Sequence, residues 1–211
     1  MKFRLGDATD SAHCTALKHE FLRCEDAFRD FETYGTLMIV KAQAEAEGKL
    51  SPTPHEKRFI AYKTYNAYSR FIHHLYEFTL GAVARETGNS RQMGADDAGL
   101  HIMGHAQRIL TGKRRAIQNG TAPTWENNIS YYPEKVPTEF AKEFRQLRNI
   151  GGHVSHKRSS LSLSDFYRKY HKYVYMLYRN GLGHWGLQAQ EFPDLNEITK
   201  FSILIRESGS V

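Results

Sequence analysis

The sequence predicts an all-α protein, an antiparallel helical bundle of four to five main helices that ends in a less regular C-terminal tail. Two observations predict this class. Near the N-terminus, apolar side chains recur every three or four residues for about seven turns, which is the period of a helix that buries one face. Glycine, asparagine and proline signals then divide the rest of the chain into further segments of helical length. The apolar positions of the first segment are Cys14, Leu17, Phe21, Cys24, Phe28, Phe31 and Met38.

The first two helices have recognisable ends. The spacing predicts a first helix over residues 11–47, with Asp10 or Ser11 as its N-cap and Gly48 as its stop. The sequence TPHE at residues 53–56 predicts the start of the second helix, because threonine is a good N-cap, proline suits the first helical position and glutamate completes a capping box. Gly88 and Asn89 predict its end.

Three more helices follow. The pattern predicts a third helix from Asp96 or Asp97 to Gln118, and then a long ordered connection over residues 120–137, which holds three of the six prolines. A connection of that length in a small domain is often functional. Pro137 opens a fourth helix, whose face of Phe140, Phe144 and Leu147 we expect to be buried.

The fifth helix is predicted to begin after Ser164 as N-cap and to end at Asn180–Gly181. The apolar segment 201–205 is consistent with a short strand or one apolar turn. We therefore expect residues 1–180 to form the bundle and residues 181–211 to form a tail that packs on it or extends from it.

The composition is typical of a globular protein, since 40% of the residues are hydrophobic and 25% are charged, with a formal net charge of +6. The basic excess favours anionic partners. The longest aliphatic run, residues 37–40, is far shorter than a membrane span, and the N-terminus lacks the apolar region of a signal peptide. We therefore expect a cytoplasmic protein that does not contact a membrane.

The two cysteines, Cys14 and Cys24, are expected to be reduced. Ten residues apart on one helix, they would lie about 15 Å from each other, which is too far for a disulfide. Zinc-ligand spacings, phosphate-binding glycine loops and nucleophile motifs are missing from the sequence. The sequence therefore predicts neither a metal nor a cofactor.

The residues that carry chemistry lie at the predicted end of the fourth helix, where Leu147, Arg148 and Asn149 are followed by Ile-Gly-Gly and His153. The two glycines disfavour an unbroken helix. A helix that ends near Asn149 and continues as a turn would let Arg148 and His153 face one cleft. An imidazole can exchange a proton near neutral pH, and a guanidinium can stabilise an anion.

This segment resembles the R-x(4–6)-H motif of ribonucleases in the higher-eukaryote-and-prokaryote nucleotide-binding (HEPN) superfamily, which are helical bundles that often carry Leu before the arginine and Asn after it. The resemblance covers residues 144–156 at residue level and 10–180 by architecture. It implies a metal-independent endoribonuclease in which the RNA 2′-hydroxyl attacks the adjacent phosphate. His153 would be the general acid/base, Arg148 the stabiliser of the anionic transition state and Asn149 the group that orients it.

The resemblance also implies partners and a biological role. Members of the family build the site at the interface of a homodimer, with one motif from each protomer. RNA is the implied substrate. Such small enzymes are often toxins or antiviral defence effectors that an inhibitory protein partner holds in check.

Two further candidates are a basic segment that follows the motif and an acidic residue on the second helix. The cationic residues His156, Lys157 and Arg158 are predicted to contact RNA phosphates, or else they belong to a solvated loop. Glu77 lies one turn from the histidine pair at 73–74, and we expect it to orient one of those histidines or to support Arg148. The alternative is that this group is an ordinary helix-surface or core pair.

A second match to the motif runs from Arg179 through Asn180 and Gly181 to His184. It ranks below the first, because Asn180–Gly181 is typical of a helix C-cap and no long helix follows to complete a cleft. Two rivals to the enzyme remain. One is a non-catalytic module that binds a nucleotide, RNA or a partner protein, and the other is a purely structural helical protein with accidental matches.

Overall fold

A computed structural model of the chain describes residues 2–89, 93–152, 162–186 and 195–207. Within these ranges the structure is helical and its only β pairing is an isolated bridge between Lys2 and Asn89, which confirms the all-α class. No helix in the described part combines the length and the apolar character needed to cross a bilayer. The helices are α1 (Ala8–Ala46), α2 (Pro54–Glu86), α3 (Ala95–Gln118), α4 (Phe140–Gly152), α5 (Leu163–Trp185) and α6 (Glu197–Glu207), with two 3-10 turns at Thr124–Glu126 and Ile129–Tyr131.

The helices α1 and α2 form a long antiparallel hairpin. The 39 residues of α1 span about 58 Å. Its N-cap is Asp7, so the predicted cap at Asp10 or Ser11 is wrong: Asp7 accepts a hydrogen bond from the Asp10 backbone N–H at 2.8 Å. The carboxylate of Asp10 instead accepts from Arg85 Nε at 2.8 Å, which ties the start of α1 to the end of α2.

The second helix begins as predicted. The Thr53 backbone N–H donates to Glu56 Oε2 at 2.8 Å, and the Glu56 backbone N–H donates to Thr53 Oγ1 at 3.2 Å. This reciprocal capping box satisfies two backbone donors that have no partner within the helix. Gly48 follows the end of α1 with a φ of +69°, a conformation that favours glycine in the turn between the two helices.

The core is largely aromatic. The predicted face of α4 is buried as expected, with Phe140 and Phe144 at 0% exposure and Leu147 at 7%. This face packs against α2 and α5 and thereby sets the rotation of α4. The buried aromatic side chains of the other helices are Phe21, Phe28, Tyr68, Phe71, Tyr76, Phe78, Phe166, Tyr170, Tyr173 and Tyr178.

The ends of α5 differ from the prediction. Its N-cap is Ser162 rather than Ser164, because Ser162 Oγ accepts from the Asp165 backbone N–H at 3.1 Å. The helix also continues past Gly181 to Trp185. Gly181 is buried where α5 crosses α1 and α2, and a Cβ built there would lie only 2.5 Å from a ring carbon of Phe21. Close helix packing therefore explains this glycine, and the predicted C-cap is wrong.

Two other predictions about secondary structure are also wrong. The helix α4 does not stop near Asn149 but extends to Gly152. A glycine inside a helix costs only about 1 kcal/mol, which tertiary packing can offset. The apolar segment 201–205 is neither a strand nor a single turn but part of α6. In α6 the residues Ile198, Phe201 and Ile205 recur at helical spacing, and each is more than 40% exposed.

Candidate functional site

Arg148 lies where α4 packs against α2. Its Nε donates a hydrogen bond to Oε1 of Glu77, in an ion pair that joins the two helices. The side chain of Arg148 is 33% exposed and that of Glu77 is 31% exposed. Partial burial reduces screening by water, so this pair holds its geometry better than a fully exposed one.

Two further contacts hold the guanidinium of Arg148. Its Nη1 donates to Asn149 Oδ1 at 2.9 Å, and its Cζ lies 5.9 Å from the centroid of the Tyr76 ring. That ring is itself fixed, because it packs edge-on against Phe144 with 5.1 Å between ring centroids. A guanidinium has five N–H donors, and Glu77 and Asn149 account for two of them. Within the described part of the chain the remaining donors have no side-chain acceptor, and they can bind oxygen atoms of an anion.

The structure thus brings together three of the residues that the sequence singled out: Arg148, Asn149 and Glu77. The other four, His153, His156, Lys157 and Arg158, lie outside the described residues.

Two open clefts meet at the Arg148–Glu77 pair. One lies beside α1 and α2 and has a volume of about 480 Å³. The other lies among α2, α4 and the start of α3 and has a volume of about 570 Å³. The first cleft is also lined by His13, Glu20, Arg23, His73 and His74, and the second by Tyr76, Met93, Arg145 and Asn149.

The first cleft contains a partly buried acid–imidazole pair. Nδ1 of His74 lies 2.8 Å from Oε1 of Glu20, across the α1–α2 interface. Burial tends to raise the pKa of the Glu20 carboxyl, but the hydrogen bond and charge of His74, together with Arg23, hold this pKa below its ordinary value. Glu20 is therefore a carboxylate at neutral pH that orients the His74 ring.

His73 stands beside this pair. Its ring packs edge-on against that of His74, with 5.3 Å between centroids. Its Nδ1 is buried and has no hydrogen-bond partner among the described residues, which is uncommon for a buried polar atom. His13 Nε2 lies 2.9 Å from the carbonyl oxygen of Gly81 in the same cleft. In the described part of the chain, no group of three or more His, Cys, Asp or Glu side chains is arranged to hold a metal ion.

The sequence left two roles open for Glu77, which were to orient a histidine of the 73–74 pair or to support Arg148. In the structure Glu77 pairs with Arg148, and His74 is hydrogen-bonded to Glu20. Sequence reasoning missed Glu20 and Tyr76. Glu20 is 54 residues from His74 along the chain, so no local spacing could have paired them. Tyr76 directly precedes Glu77, but its contact with Arg148 depends on how α4 rotates against α2.

Comparison with protein-family models, with curated proteins and with solved structures finds no match to this chain.

Proposed function

We propose that this protein is a metal-independent endoribonuclease of the HEPN type that cleaves RNA at the Arg148–His153 motif. The observation that carries the proposal is the fixed guanidinium of Arg148, held by Glu77 and Asn149 at the junction of two open clefts. A preorganised cation with spare N–H donors suits the charge that develops on a phosphate under attack.

The proposed reaction needs one acid/base group and one anion stabiliser. His153 removes the proton from the RNA 2′-hydroxyl as that oxygen attacks the adjacent phosphorus, and the bond to the 5′-oxygen of the next nucleotide breaks. The leaving oxygen takes up a proton from the protonated imidazole, which returns His153 to its neutral form, so the products are a 2′,3′-cyclic phosphate and a 5′-hydroxyl. Arg148 stabilises the extra negative charge, Asn149 and Glu77 position Arg148, and His156, Lys157 and Arg158 contact RNA phosphates.

The assembly and biological role are part of the proposal. The enzyme acts as a homodimer in the cytoplasm, as a toxin or defence effector that an inhibitory protein partner restrains. Light scattering coupled to gel filtration tests the dimer, which predicts twice the 24.3 kDa of one chain.

The test of the activity is cleavage of a labelled RNA in EDTA, with analysis of the product ends. We expect the wild type to leave 2′,3′-cyclic phosphate. Replacing His153 by alanine should lower the rate by about 10²-fold or more, which is the usual contribution of a general acid/base. Replacing Arg148 by alanine should cost about 10² to 10³-fold, as for other lost transition-state donors.

Arg145→Ala is the matched control for Arg148→Ala, because Arg145 lies one turn earlier on α4 and lines the same cleft without being in the motif. It should retain most of the activity. Equal losses in the two arginine variants would mean that general positive charge, not the motif, supports cleavage. Glu77→Gln should slow cleavage without weakening RNA binding, since Glu77 positions Arg148 rather than touching RNA.

A non-catalytic binding module is the second candidate, and one observation favours it. The Glu77 carboxylate offsets the charge of Arg148, as it would in a purely structural ion pair between α2 and α4. This candidate predicts RNA or nucleotide binding by a wild type that cleaves none of several RNAs. Loss of cleavage in His184→Ala but not in His153→Ala would instead move the active site to the second motif.

A further inference from the structure

A separate cleft of about 810 Å³ lies between α3, the connection after it and α5. Among the described residues, it shares no lining residue with the two clefts at Arg148. Its volume is within the range of small-molecule sites, roughly 300 to 1,000 Å³. Its chemistry-bearing side chains are Lys113, Trp125, Tyr131, Lys172, Arg179 and His184.

The wall formed by the connection is held in place by hydrogen bonds. Glu126 Oε1 accepts from Lys113 Nζ at 2.5 Å and from the Tyr132 hydroxyl at 2.7 Å. The guanidinium of Arg114 donates to the carbonyl oxygen of Tyr132. These bonds fasten both 3-10 turns to α3, so the cleft is a preformed feature.

The α5 wall of the cleft carries two cations. Lys172 and Arg179 are seven residues apart, two helical turns, and therefore lie on one face of α5. Neither forms an ion pair with a carboxylate in the part of the chain that the structure describes. Among the described residues, Glu126 is the one carboxylate that lines the cleft; it is bound by Lys113 and Tyr132, and the charge of Arg179 also helps to hold its pKa below the ordinary value. The three cations Lys113, Lys172 and Arg179 therefore outnumber it. The cleft is therefore suited to a negatively charged group.

The opposite wall exposes aromatic rings. Trp125 is 82% exposed and Tyr131 is 53% exposed, although burial of such rings is strongly favourable. Lys172 Nζ lies 5.9 Å from the centroid of the Tyr131 ring, so cation and ring surface are adjacent. Exposed rings beside cations are what proteins use to stack a nucleobase while binding its phosphate.

We propose that this cleft binds a nucleotide, with its phosphate on Lys172 and Arg179 and its base stacked on Trp125. The nucleotide is either a free mononucleotide or one unit of a single-stranded RNA. Asn180 and His184, which belong to the second match to the motif, line the same cleft and can form hydrogen bonds to the base or the sugar.

The test uses Trp125 as its own reporter. The chain has two tryptophans, so Trp185→Phe leaves Trp125 as the only indole. We titrate this variant with adenosine monophosphate and, separately, with a 2′-O-methyl adenosine dodecamer. Neither probe can be cleaved by 2′-hydroxyl attack, so the result does not depend on the proposed ribonuclease activity. Stacking should quench the fluorescence.

The two probes distinguish the source of the nucleotide. Binding of both with similar affinity indicates a mononucleotide site, and much tighter binding of the dodecamer indicates an RNA track. Each result supports the proposal. Absence of quenching with both probes overturns it.

Variants then test the contacts. Lys172→Ala and Arg179→Ala should each weaken binding about tenfold or more, as expected for loss of a charged hydrogen bond. With the dodecamer, each should also lower the salt dependence of log K by about 0.7. The matched control is Lys169→Ala on the same helix, where Lys169 is 58% exposed and pairs with Glu143 at 3.8 Å outside the cleft. An equal loss of affinity in Lys169→Ala and Lys172→Ala refutes the assigned phosphate contact.

Discussion

Replacing Gly181 by alanine should destabilise the protein, although alanine favours a helix. A Cβ at this position would lie 2.5 Å from Cε2 of Phe21 and 3.0 Å from Cε1 of Phe78. Carbon atoms in packed cores prefer about 3.5 to 4.0 Å, so the rings must retreat by roughly 0.5 to 1.5 Å. They have little room to do so, because Phe21 is 0% exposed and Phe78 is 5% exposed. Overpacking of this kind costs about 1 to 3 kcal/mol.

The matched control is Gly104→Ala in α3. Gly104 is also inside a helix, but nothing lies within 4 Å of a Cβ built there. This variant should show only the helix-propensity gain of about 1 kcal/mol over glycine. The difference in the free energy of unfolding between the two variants therefore isolates the overpacking cost of about 1 to 3 kcal/mol. Urea denaturation followed by circular dichroism measures it.

The outcome that contradicts this reasoning is a Gly181→Ala variant as stable as Gly104→Ala. Gly181 would then be a free helix position, and the close approach of α5 to α1 and α2 would be wrong. The positions of Asn180 and His184 in the proposed nucleotide cleft depend on that approach, so the experiment also checks the frame of the cleft.

Two further predictions concern ionisation. Hydrogen bonds from Arg85 and from the Gly6 backbone hold the pKa of Asp10 below its ordinary value, so this carboxylate stabilises the fold above about pH 4 and loses that effect as the pH falls through its folded pKa. The difference in urea midpoint between wild type and Asp10→Asn should therefore be larger at pH 7 than at pH 3. A difference that stays constant with pH would contradict the Asp10–Arg85 pairing. Burial raises the pKa of the Cys24 thiol and shields this thiol from solvent, whereas Cys14 is partly exposed. Ellman's reagent should therefore react with one thiol in the native protein and with the second only after unfolding. Two equally fast reactions would show that the core around α1 opens.

Local signals were sufficient for most helix positions. The period of Phe21, Cys24 and Phe28, and the capping box at 53–56, depend on residues within one or two turns, and each is found in the structure. The buried face of α4 followed from the spacing of Phe140 and Phe144 for the same reason. The motif at Arg148 and Asn149 was also local, since its members are adjacent.

The errors arose where a local signal had two explanations. Asn180–Gly181 fits a C-cap, but a glycine also suits a crossing where helices come close, and only the packing of Phe21 and Phe78 distinguishes the two. Asp10 fits an N-cap, but its carboxylate accepts a hydrogen bond from Arg85 on α2. Asp7 caps the helix instead.

The sequence by itself determined the all-α class, the number and approximate bounds of the long helices, and the Arg148–Asn149 motif, because these depend on periodicity and on neighbouring residues. The tertiary structure decided which groups meet. The Arg148–Glu77 pair, the Glu20–His74 pair and the cleft between Trp125 and Arg179 join residues from different helices or from the connection. Such contacts depend on how each helix is rotated and offset against its neighbours, which the packing of the aromatic core sets and no single segment encodes.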